Sequence, residues 1–294
     1  MDPNALIEGA LERAVVDTDA AGGPPRLAAA VRHAVFPGGA RVRPQLCLAV
    51  ANACRELDNA EGDAAAAVGA AVALELLHCA SLVHDDLPCF DAADLRRGKP
   101  SVHVRFGEPL ALLAGDALIV LAFETLGKAC AVAPARLAPL LAVVGRAVGS
   151  PAGIVAGQAW ESEEEIDLRA YHQAKTGALF VGACAAGAAA MGVDPTGWTP
   201  LGARLGEAYQ IADDLRDHVM NAEELGKPAG QDDLNDRPSA VRAFGVKGAL
   251  EQLRALIDDA AMSVPDCPGA EDLRGLVYAQ ARRLTPKSLQ AAEA

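Results

Sequence analysis

The sequence predicts an all-α fold, and its composition and periodicity both indicate this. Hydrophobic residues make up 51% of the 294 residues but aromatic residues only 4%, so Ala, Leu and Val carry most of the apolar content. Alanine is the strongest helix former, whereas the aromatic residues that favour strands are scarce. Apolar residues recur with helical spacing along almost the whole chain, and we find no alternating strand pattern with hairpin signals.

The helical period recurs in a series of segments that Gly and Pro separate. In chain order the predicted helices are Ala5–Asp17, Arg26–Phe36, Pro44–Leu57, Asp63–Leu87, Leu110–Cys130, Ala135–Val148, Leu168–Met191, Thr199–Asn221, Lys247–Met262 and Asp272–Leu284. The clearest turns are Gly22–Pro25, Pro37–Gly39, Gly98–Pro100 and Gly226–Pro228. Because no linker-like or low-complexity stretch interrupts the series, we predict a single domain over residues 1–294.

Charge and cysteine content exclude several classes of protein. The net charge of −13, from 39 acidic and 26 basic residues, repels phosphate backbones and argues against a nucleic-acid partner. The seven cysteines form no C-x-x-C pair, so we expect buried free thiols in the cytoplasm, with a zinc site or a reactive thiol as the minor alternative. The acidic N-terminus is unlike a signal peptide. The apolar stretches Pro109–Phe123, which contains Asp116, and Gly177–Val193 are expected to be internal helices and not membrane spans.

A first acidic motif follows a strongly apolar helix. Asp85 and Asp86 end that helix, and Asp91 follows after Pro88. Because the residue before a proline avoids the helical conformation, the helix is expected to end near Leu87. In a straight helix Asp85 and Asp91 would point to different faces, but a break at Pro88 would let a short loop return Asp91 to the side of Asp85.

A second acidic motif lies on a later helix. Asp213 and Asp217 are four residues apart and share one helix face, with Asp214 beside them. Mg²⁺ prefers one or two carboxylates together with substrate phosphates, so the two clusters suit a metal-bridged diphosphate. The alternative is a solvated acidic face with i,i+4 ion pairs, and two motifs that are each followed by basic residues and a Gly-Lys-Pro turn favour the metal site.

Basic residues accompany the acidic motifs, and arginine forks and lysine charges suit phosphate recognition. They are Arg96, Arg97 and Lys99 after the first motif, Lys227 after the second, Arg41 and Arg43 near the N-terminus, and Lys175. Each alone would be ordinary surface charge. His78 shares one helical stripe with Asp85 and is predicted to face the same cavity, although a lone histidine on an apolar helix is more often a satisfied core residue.

Together these motifs resemble the trans-isoprenyl diphosphate synthases, the family of farnesyl and geranylgeranyl diphosphate synthases. The matches follow the family's order from about Pro37 to about Asp232: PGGARVRP, ELLHCASLVHDDLPCFDAADLRRGKPSVH, GQ, KT, YQIADDLRD and GKPAGQD. The resemblance implies an isoprenoid-synthase-type helical bundle around a deep central cavity. It also implies a homodimer with magnesium, three ions per active site, that condenses isopentenyl diphosphate with an allylic diphosphate.

The resemblance implies roles for individual residues as well. The metal ligands would be Asp85, Asp86, Asp91, Asp213, Asp214 and Asp217. The catalytic residues around the allylic diphosphate would be Lys175, Lys227, Arg96, Thr176 and Gln210, with Gln158 nearby. Isopentenyl diphosphate would contact Arg43, His78 and Arg97, together with Arg41. The sequence departs from the family at Ala40, where the family has a lysine that grips isopentenyl diphosphate, so either affinity for that substrate is weaker or Arg41 compensates.

Side chains one turn before Asp85 are expected to set product length. Ala80 and Ser81 are both small, as they tend to be in geranylgeranyl producers of the family, whereas farnesyl producers tend to place an aromatic residue here. We therefore predict geranylgeranyl diphosphate as the product, with Leu76 and Leu77 as candidates for the floor of the cavity. The alternative interpretation is that Ala80 and Ser81 only allow close helix packing.

Other functions were weighed against this one. A farnesyl diphosphate synthase is the nearest alternative. A non-catalytic regulatory subunit stays open because of Ala40, although such subunits usually lose an aspartate motif and both motifs are intact here. A class I terpene cyclase would carry an N-D-x-x-S-x-x-x-E-type second motif, and DDLRD stands in that place.

Overall fold

The computed structural model describes residues 2–16, 22–36, 38–56, 61–219 and 239–284, and these residues are almost entirely helical. The helices are α1 (Pro3–Val16), α2 (Pro25–Val35), α3 (Val42–Ala53), α4 (Glu61–Asp85), α5 (Val102–Phe106), α6 (Glu108–Ala129), α7 (Leu137–Val148), α8 (Ile154–Ala159), α9 (Leu168–His172), α10 (Ala178–Ala190), α11 (Thr199–Val219), α12 (Ala240–Met262) and α13 (Ala270–Leu284). A π-helical turn, Gln173–Gly177, joins α9 to α10. The prediction of an all-α fold is confirmed, and each predicted segment contains an observed helix.

Helix α10 lies at the centre of the bundle. It packs against α3, α4, α7 and α11, and nearly all of its residues are buried. Its sequence, ALFVGACAAGAAA, explains this position, because small side chains let neighbouring helices approach closely on every side. The buried apolar residues of the described chain form a continuous core. A single domain over residues 1–294 stays a prediction.

Helix α4 carries the first acidic motif at its C-terminal end. It ends at Asp85, two residues earlier than predicted, and passes into a turn in which the backbone N–H of Leu87 donates to the carbonyl oxygen of His84 at 3.1 Å. This early end agrees with the restriction that Pro88 imposes on the preceding residue.

One hairpin and two short helices, α5 and α8, were not predicted from the sequence. Strands β1 (Leu95–Arg96) and β2 (Lys99–Pro100) pair in antiparallel register, so the expectation that no strand would form is wrong at this place. Both residues of the connecting turn, Arg97 and Gly98, have positive φ angles of 54° and 73°, as a two-residue hairpin turn requires. Two-residue strands are too short to show alternation, and α5 and α8 are too short for a helical period.

All seven cysteines are free thiols. As predicted, most are buried, namely Cys47, Cys54, Cys79, Cys130 and Cys184; Cys89 is exposed and Cys267 is partly exposed. Burial raises the pKa of Cys47 to about 12, as expected for an unreactive core thiol.

Two segments are long and apolar enough to cross a membrane by length and composition alone. Gly62–Asp85 is 83% buried inside the protein and is a core helix. Glu108–Val132, which contains the stretch Pro109–Phe123, is only 39% buried and presents a partly apolar outer face. Gly177–Val193 is not among such segments in the described chain; it is the buried α10 region.

Candidate active site

The carboxylates of the first acidic motif gather at the C-terminal end of α4. Asp85 and Asp86 are both buried. The following loop folds back, and the backbone N–H of Asp91 donates to the carbonyl oxygen of Asp85 at 2.9 Å. The predicted return of Asp91 to the side of Asp85 is therefore confirmed. Burial raises the pKa of Asp85, and the charges of Asp91 and Glu161 raise it further.

Asp86 faces the hairpin and not the loop. Its carboxylate accepts hydrogen bonds from two nitrogens of Arg96, with the guanidinium Nε at 3.0 Å. Burial raises the pKa of Asp86, and the hydrogen bond from Arg96 only partly offsets this. The hairpin thus holds Arg96 against the acidic end of α4, where the sequence analysis expected it.

Lys175 lies in the π-helical turn, between the first motif and a carboxylate that the sequence analysis missed. Its ammonium is 2.5 Å from Oε1 of Glu161 and 3.7 Å from Oδ2 of Asp85. The Tyr171 hydroxyl donates to the same Glu161 oxygen at 2.6 Å. Glu161 is the first residue of an acidic run of the kind that is typical of a solvated loop. The one sequence signal for its role in the site was its position three residues after Gln158, which would place the two side chains on one helix face.

Gln158 lies beside Asp85, as the resemblance implied. Its side-chain amide donates to the carbonyl oxygen of Ser81 at 3.0 Å and to Oδ1 of Asp85 at 3.1 Å. The preceding Gly157 makes this possible, because a side chain there would overlap the backbone of Lys175. Close packing of α8 on the π-helical turn therefore sets the position of Gln158.

The second acidic motif is connected to the same turn. The Thr176 hydroxyl donates to the side-chain oxygen of Gln210 at 3.0 Å, and the Gln210 amide donates to Asp214 at 3.0 Å. The other Asp214 oxygen accepts from the backbone N–H of Ala240, at the start of α12, at 2.8 Å. Burial raises the pKa of Asp214, and the charge of Asp213 adds to this. The π-helical turn thus links the two acidic motifs.

The remaining residues of the second motif are only partly described. Asp213 and Asp217 lie one turn apart on α11, and Arg216 is 3.7 Å from Asp213. Lys227 and the second Gly-Lys-Pro turn lie outside the described residues.

A buried cationic pocket lies farther along α4. A guanidinium nitrogen of Arg43 is 3.3 Å from Nε2 of His78, and the guanidinium stands over the rings of Phe180 and Tyr209 at 4.9 and 5.8 Å. Arg43 Nε and His78 Nδ1 are buried and find no hydrogen-bond partner among the described residues. Burial, followed by the charges of Arg43 and Arg97, holds the pKa of His78 well below its usual range. Buried polar groups without a partner are costly, and here they are suited to an anion.

Arg41 does not join this pocket. Its guanidinium donates to Glu8 at 2.7 Å, to Glu75 at 2.6 Å and to the carbonyl oxygen of Val35 at 2.9 Å. The side chain is 2% exposed. We therefore remove Arg41 from the expected diphosphate-binding residues, and it is not available to compensate for Ala40.

The residues of α4 that are expected to set product length all face the interior of the protein. Ala80, Ser81, Leu76 and Leu77 are buried. The Ser81 hydroxyl donates to the carbonyl oxygen of His78 at 2.8 Å. A cavity of about 950 Å³ opens between α7, α10 and α11 and reaches Gln210, but none of these four residues lines it. Their role in product length stays a prediction.

The carboxylates of the acidic motifs are oxygen ligands of the kind that Mg²⁺ prefers. Among the described residues, no group of three or more His, Cys, Asp or Glu side chains is arranged to hold a metal ion by itself. The negative charges of Asp85, Asp91 and Glu161 lie close together, with the cations Lys175 and Arg96 beside them. A site of this kind suits a cation that is held by one or two carboxylates and completed by substrate phosphates.

Comparison with known proteins supports a relation to enzymes of isoprenoid synthesis. The family model described as "Polyprenyl synthetase" matches residues 24–269. The chain is 52% identical over 285 residues to the geranylgeranyl diphosphate synthase of Cereibacter sphaeroides, covering 97% of each chain. It is 40% identical over 241 residues to geranylgeranyl pyrophosphate synthase 9, chloroplastic, of Arabidopsis thaliana, covering 76% of this chain and 64% of that one.

Solved structures show the same architecture. A geranyltransferase from Helicobacter pylori, in complex with magnesium and isoprenyl diphosphate, matches with a TM-score of 0.78 and 26% identity over 96% of this chain and 98% of that one. A geranylgeranyl pyrophosphate synthetase from Pyrococcus horikoshii matches with a TM-score of 0.76 and 28% identity over 94% of each chain.

Proposed function

Because the chain belongs to the polyprenyl synthetase family, we propose that it is a prenyltransferase that joins isopentenyl diphosphate to an allylic diphosphate and releases geranylgeranyl diphosphate. One observation carries the proposal: α4 presents two sites of opposite charge. His78 borders a buried cationic pocket, and Asp85, seven residues later, belongs to an acidic cluster. Two helical turns separate the two residues by about 10 Å. One diphosphate can bind the cations directly and the other through metal ions.

The cationic pocket is proposed to bind isopentenyl diphosphate. Arg43 and His78 each offer a buried nitrogen that no other described residue satisfies, and Arg97 stands close enough to lower the pKa of His78. A diphosphate would supply acceptors to the Arg43 and Arg97 guanidinium groups. Neutral His78 can still donate one hydrogen bond.

The acidic motifs are proposed to hold Mg²⁺, three ions per site by resemblance to the family. The ligands would be Asp85, Asp86, Asp91, Asp213, Asp214 and Asp217. When bound, Mg²⁺ neutralises charge on the diphosphate as it leaves the allylic carbon. Asp86 and Asp214 already accept hydrogen bonds from Arg96 and Gln210, and each carboxylate has further lone pairs to offer.

The π-helical turn is proposed to stabilise the departing diphosphate. Lys175 and Thr176 lie between the two acidic motifs, so a diphosphate held by both motifs would contact them. Arg96, Gln210 and, by resemblance, Lys227 would complete this shell. As the allylic C–O bond breaks, the double bond of isopentenyl diphosphate attacks the allylic carbon to form a new C–C bond, and a proton then leaves to the released diphosphate. The apolar interior excludes water from the cation.

A homodimer through α6 is proposed to cover the exposed apolar face of that helix. Leu112, Leu113 and Val120 are 50%, 49% and 57% exposed. Asp116, on the same helix, has a side chain that is 59% exposed, and a carboxylate at that position disfavours lipid. A second copy of the chain can bury the apolar groups and leave Asp116 at a polar rim. We also propose a cytoplasmic location, which the free thiols support.

An assay of the purified chain alone tests the proposal. The chain is incubated with Mg²⁺, isopentenyl diphosphate and allylic diphosphates of five, ten or fifteen carbons, and the products are separated by length. We expect the twenty-carbon product and no turnover when the metal is chelated. A regulatory subunit would be inactive without a catalytic partner, and a farnesyl diphosphate synthase would stop at fifteen carbons.

A further inference from the structure

Arg41 and Arg43 are two residues apart, but they make different contacts with α4. Arg41 has a φ of 50° and precedes α3, and this left-handed conformation separates its side chain from that of Arg43. Arg41 pairs with Glu75, whereas Arg43 contacts His78. Glu75 and His78 are three residues apart on α4 and therefore neighbours on its surface.

The two arginines differ in how fully their guanidinium groups are hydrogen-bonded. Arg41 and Glu75 are both 2% exposed and 2.6 Å apart, and Glu8 adds a second carboxylate to Arg41 at 2.7 Å. The neighbouring Gly38 has no side chain that could overlap the Arg41 guanidinium. By contrast, the buried Nε of Arg43 has no hydrogen-bond partner within the part of the chain that the structure describes.

Glu75 is close enough to Arg43 to act on it electrostatically. Burial lowers the pKa of Arg43, and the negative charges of Tyr209, when ionised, and of Glu75 counteract this. A buried carboxylate without a partner carries a large desolvation cost and would be drawn to the nearest cation. Arg43 is a cation whose charge already interacts with that of Glu75, so it is the expected partner when Arg41 is removed.

We propose that Arg41 is a positioning residue for the isopentenyl diphosphate site: it neutralises Glu75 and so leaves Arg43 free to bind the diphosphate. Arg41 touches neither substrate in this account. The inference rests on the proposed function, because isopentenyl diphosphate is the anion that the pocket would receive.

Three variants test the proposal, namely Arg41→Gln, Glu75→Gln and the double variant. Arg41→Gln leaves Glu75 to pair with Arg43, so the KM for isopentenyl diphosphate should rise about tenfold or more while that for the allylic substrate changes less than about threefold. The double variant removes both charges and should return the KM for isopentenyl diphosphate to within about threefold of wild type. Glu75→Gln alone should not raise that KM, because it removes the competing carboxylate.

The rescue separates this role from the alternatives. If Arg41 bound substrate directly, or only held the loop in shape, the double variant would stay impaired, and that result would overturn the proposal. If Arg41→Gln alone fails to fold, the double variant, which lacks both charges, is compared directly with wild type. A KM for isopentenyl diphosphate within about threefold of wild type supports the proposal, and a larger rise overturns it.

The ion pair between Arg136 and Asp63 provides a matched control, because Asp63 also lies on α4. The two side chains are 2.8 Å apart, and Asp63 is a buried carboxylate near the other end of α4. Arg136→Gln should leave both KM values unchanged. If it raised the KM for isopentenyl diphosphate as much as Arg41→Gln does, the effect of Arg41 would not be specific to the neighbouring site. If the wild type shows no turnover, the proposed function fails; the variants are then compared by their Kd for inorganic diphosphate, where the same loss and rescue are expected.

Discussion

The backbone N–H of Asp91 donates a 2.9 Å hydrogen bond to the carbonyl oxygen of Asp85. This bond fixes the loop after α4 and holds two residues with carboxylate side chains close together. Burial and the neighbouring charges raise the pKa of Asp85 above its ordinary value. In the absence of a metal, ionised Asp85 therefore destabilises the fold.

Asp85→Asn should abolish turnover and stabilise the metal-free protein. We expect turnover to fall by several orders of magnitude, and Asp213→Asn to have a similar effect. Because the native pKa of Asp85 is raised, the protonated carboxyl contributes to the free energy of unfolding at low pH. This contribution is lost as the pH rises from about 4 through the native pKa. The melting temperature of Asp85→Asn at pH 7 with a chelator should therefore match or exceed that of wild type.

Asp94 is an exposed carboxylate in the same loop and provides the control. Asp94→Asn should change neither turnover nor melting temperature. Near-normal turnover in both Asp85→Asn and Asp213→Asn would contradict the proposed metal site.

Ala40→Lys should strengthen binding of isopentenyl diphosphate. Ala40 is exposed, and Arg41 is committed to Glu75 and Glu8, so Arg41 does not replace the missing lysine. A charged donor to a phosphate contributes about 1.5–3 kcal/mol, which corresponds to a KM lowered about tenfold or more. Steady-state kinetics should show this change for isopentenyl diphosphate and little change for the allylic substrate. Ala40→Gln controls for side-chain length without charge, and equal effects of the two variants would count against the idea.

His78 should make the protein less stable in mild acid. Its native pKa is held well below the ordinary value by burial and by the surrounding arginines. Below about pH 6.5, His78 is protonated in the unfolded chain but stays neutral in the native protein. The free energy of unfolding therefore falls by up to about 1.4 kcal/mol for each unit by which the pH is lowered. His78→Gln should reduce this slope when urea unfolding is measured between pH 7 and pH 5. The exposed His218 is the control, and an unchanged slope in His78→Gln would show that His78 is not the group responsible.

Local sequence patterns were sufficient to predict the longer helices, from their periodicity, and the two acidic motifs, from the spacing of their aspartates. The sequence could not distinguish Arg41 from Arg43. The two residues are nearly adjacent in the chain, and only the left-handed conformation at Arg41 sends the side chains to different partners. Glu161 was missed for a related reason. Its contact with Lys175 depends on the packing of α8 against the π-helical turn, and an acidic run carries no sign of such a contact.

A charge on the outer face of α6 should break the dimer. Val120 is 57% exposed, and Val120→Glu would place a carboxylate in the proposed interface without a partner. Sedimentation velocity should show a dimer for wild type and a monomer for the variant. Phe244, on α12, is 56% exposed, so Phe244→Glu is a matched control that should stay dimeric. A monomeric wild type, or a dimeric Val120→Glu, would argue against this interface.

Product length should depend on Ala80. This residue is 2% exposed and lies five residues before Asp85, about 7.5 Å along the helix axis. A tail that extends from the acidic cluster beside α4 would pass it before reaching Leu76 and Leu77. Ala80→Tyr places a ring across that path, so product analysis should show farnesyl diphosphate in place of geranylgeranyl diphosphate. Overpacking should also lower stability, by about 1–3 kcal/mol.

Ala73 separates blockage from overpacking. It is also buried in α4, seven residues before Ala80 and therefore two turns farther from Asp85 on about the same face. Ala73→Tyr should lower stability to a similar extent but leave the twenty-carbon product unchanged, because it lies beyond the expected floor. The account of length control is wrong if Ala80→Tyr still makes the twenty-carbon product, or if both variants shorten it equally. In the second case general distortion of α4, and not a ring in the path of the tail, would set the length.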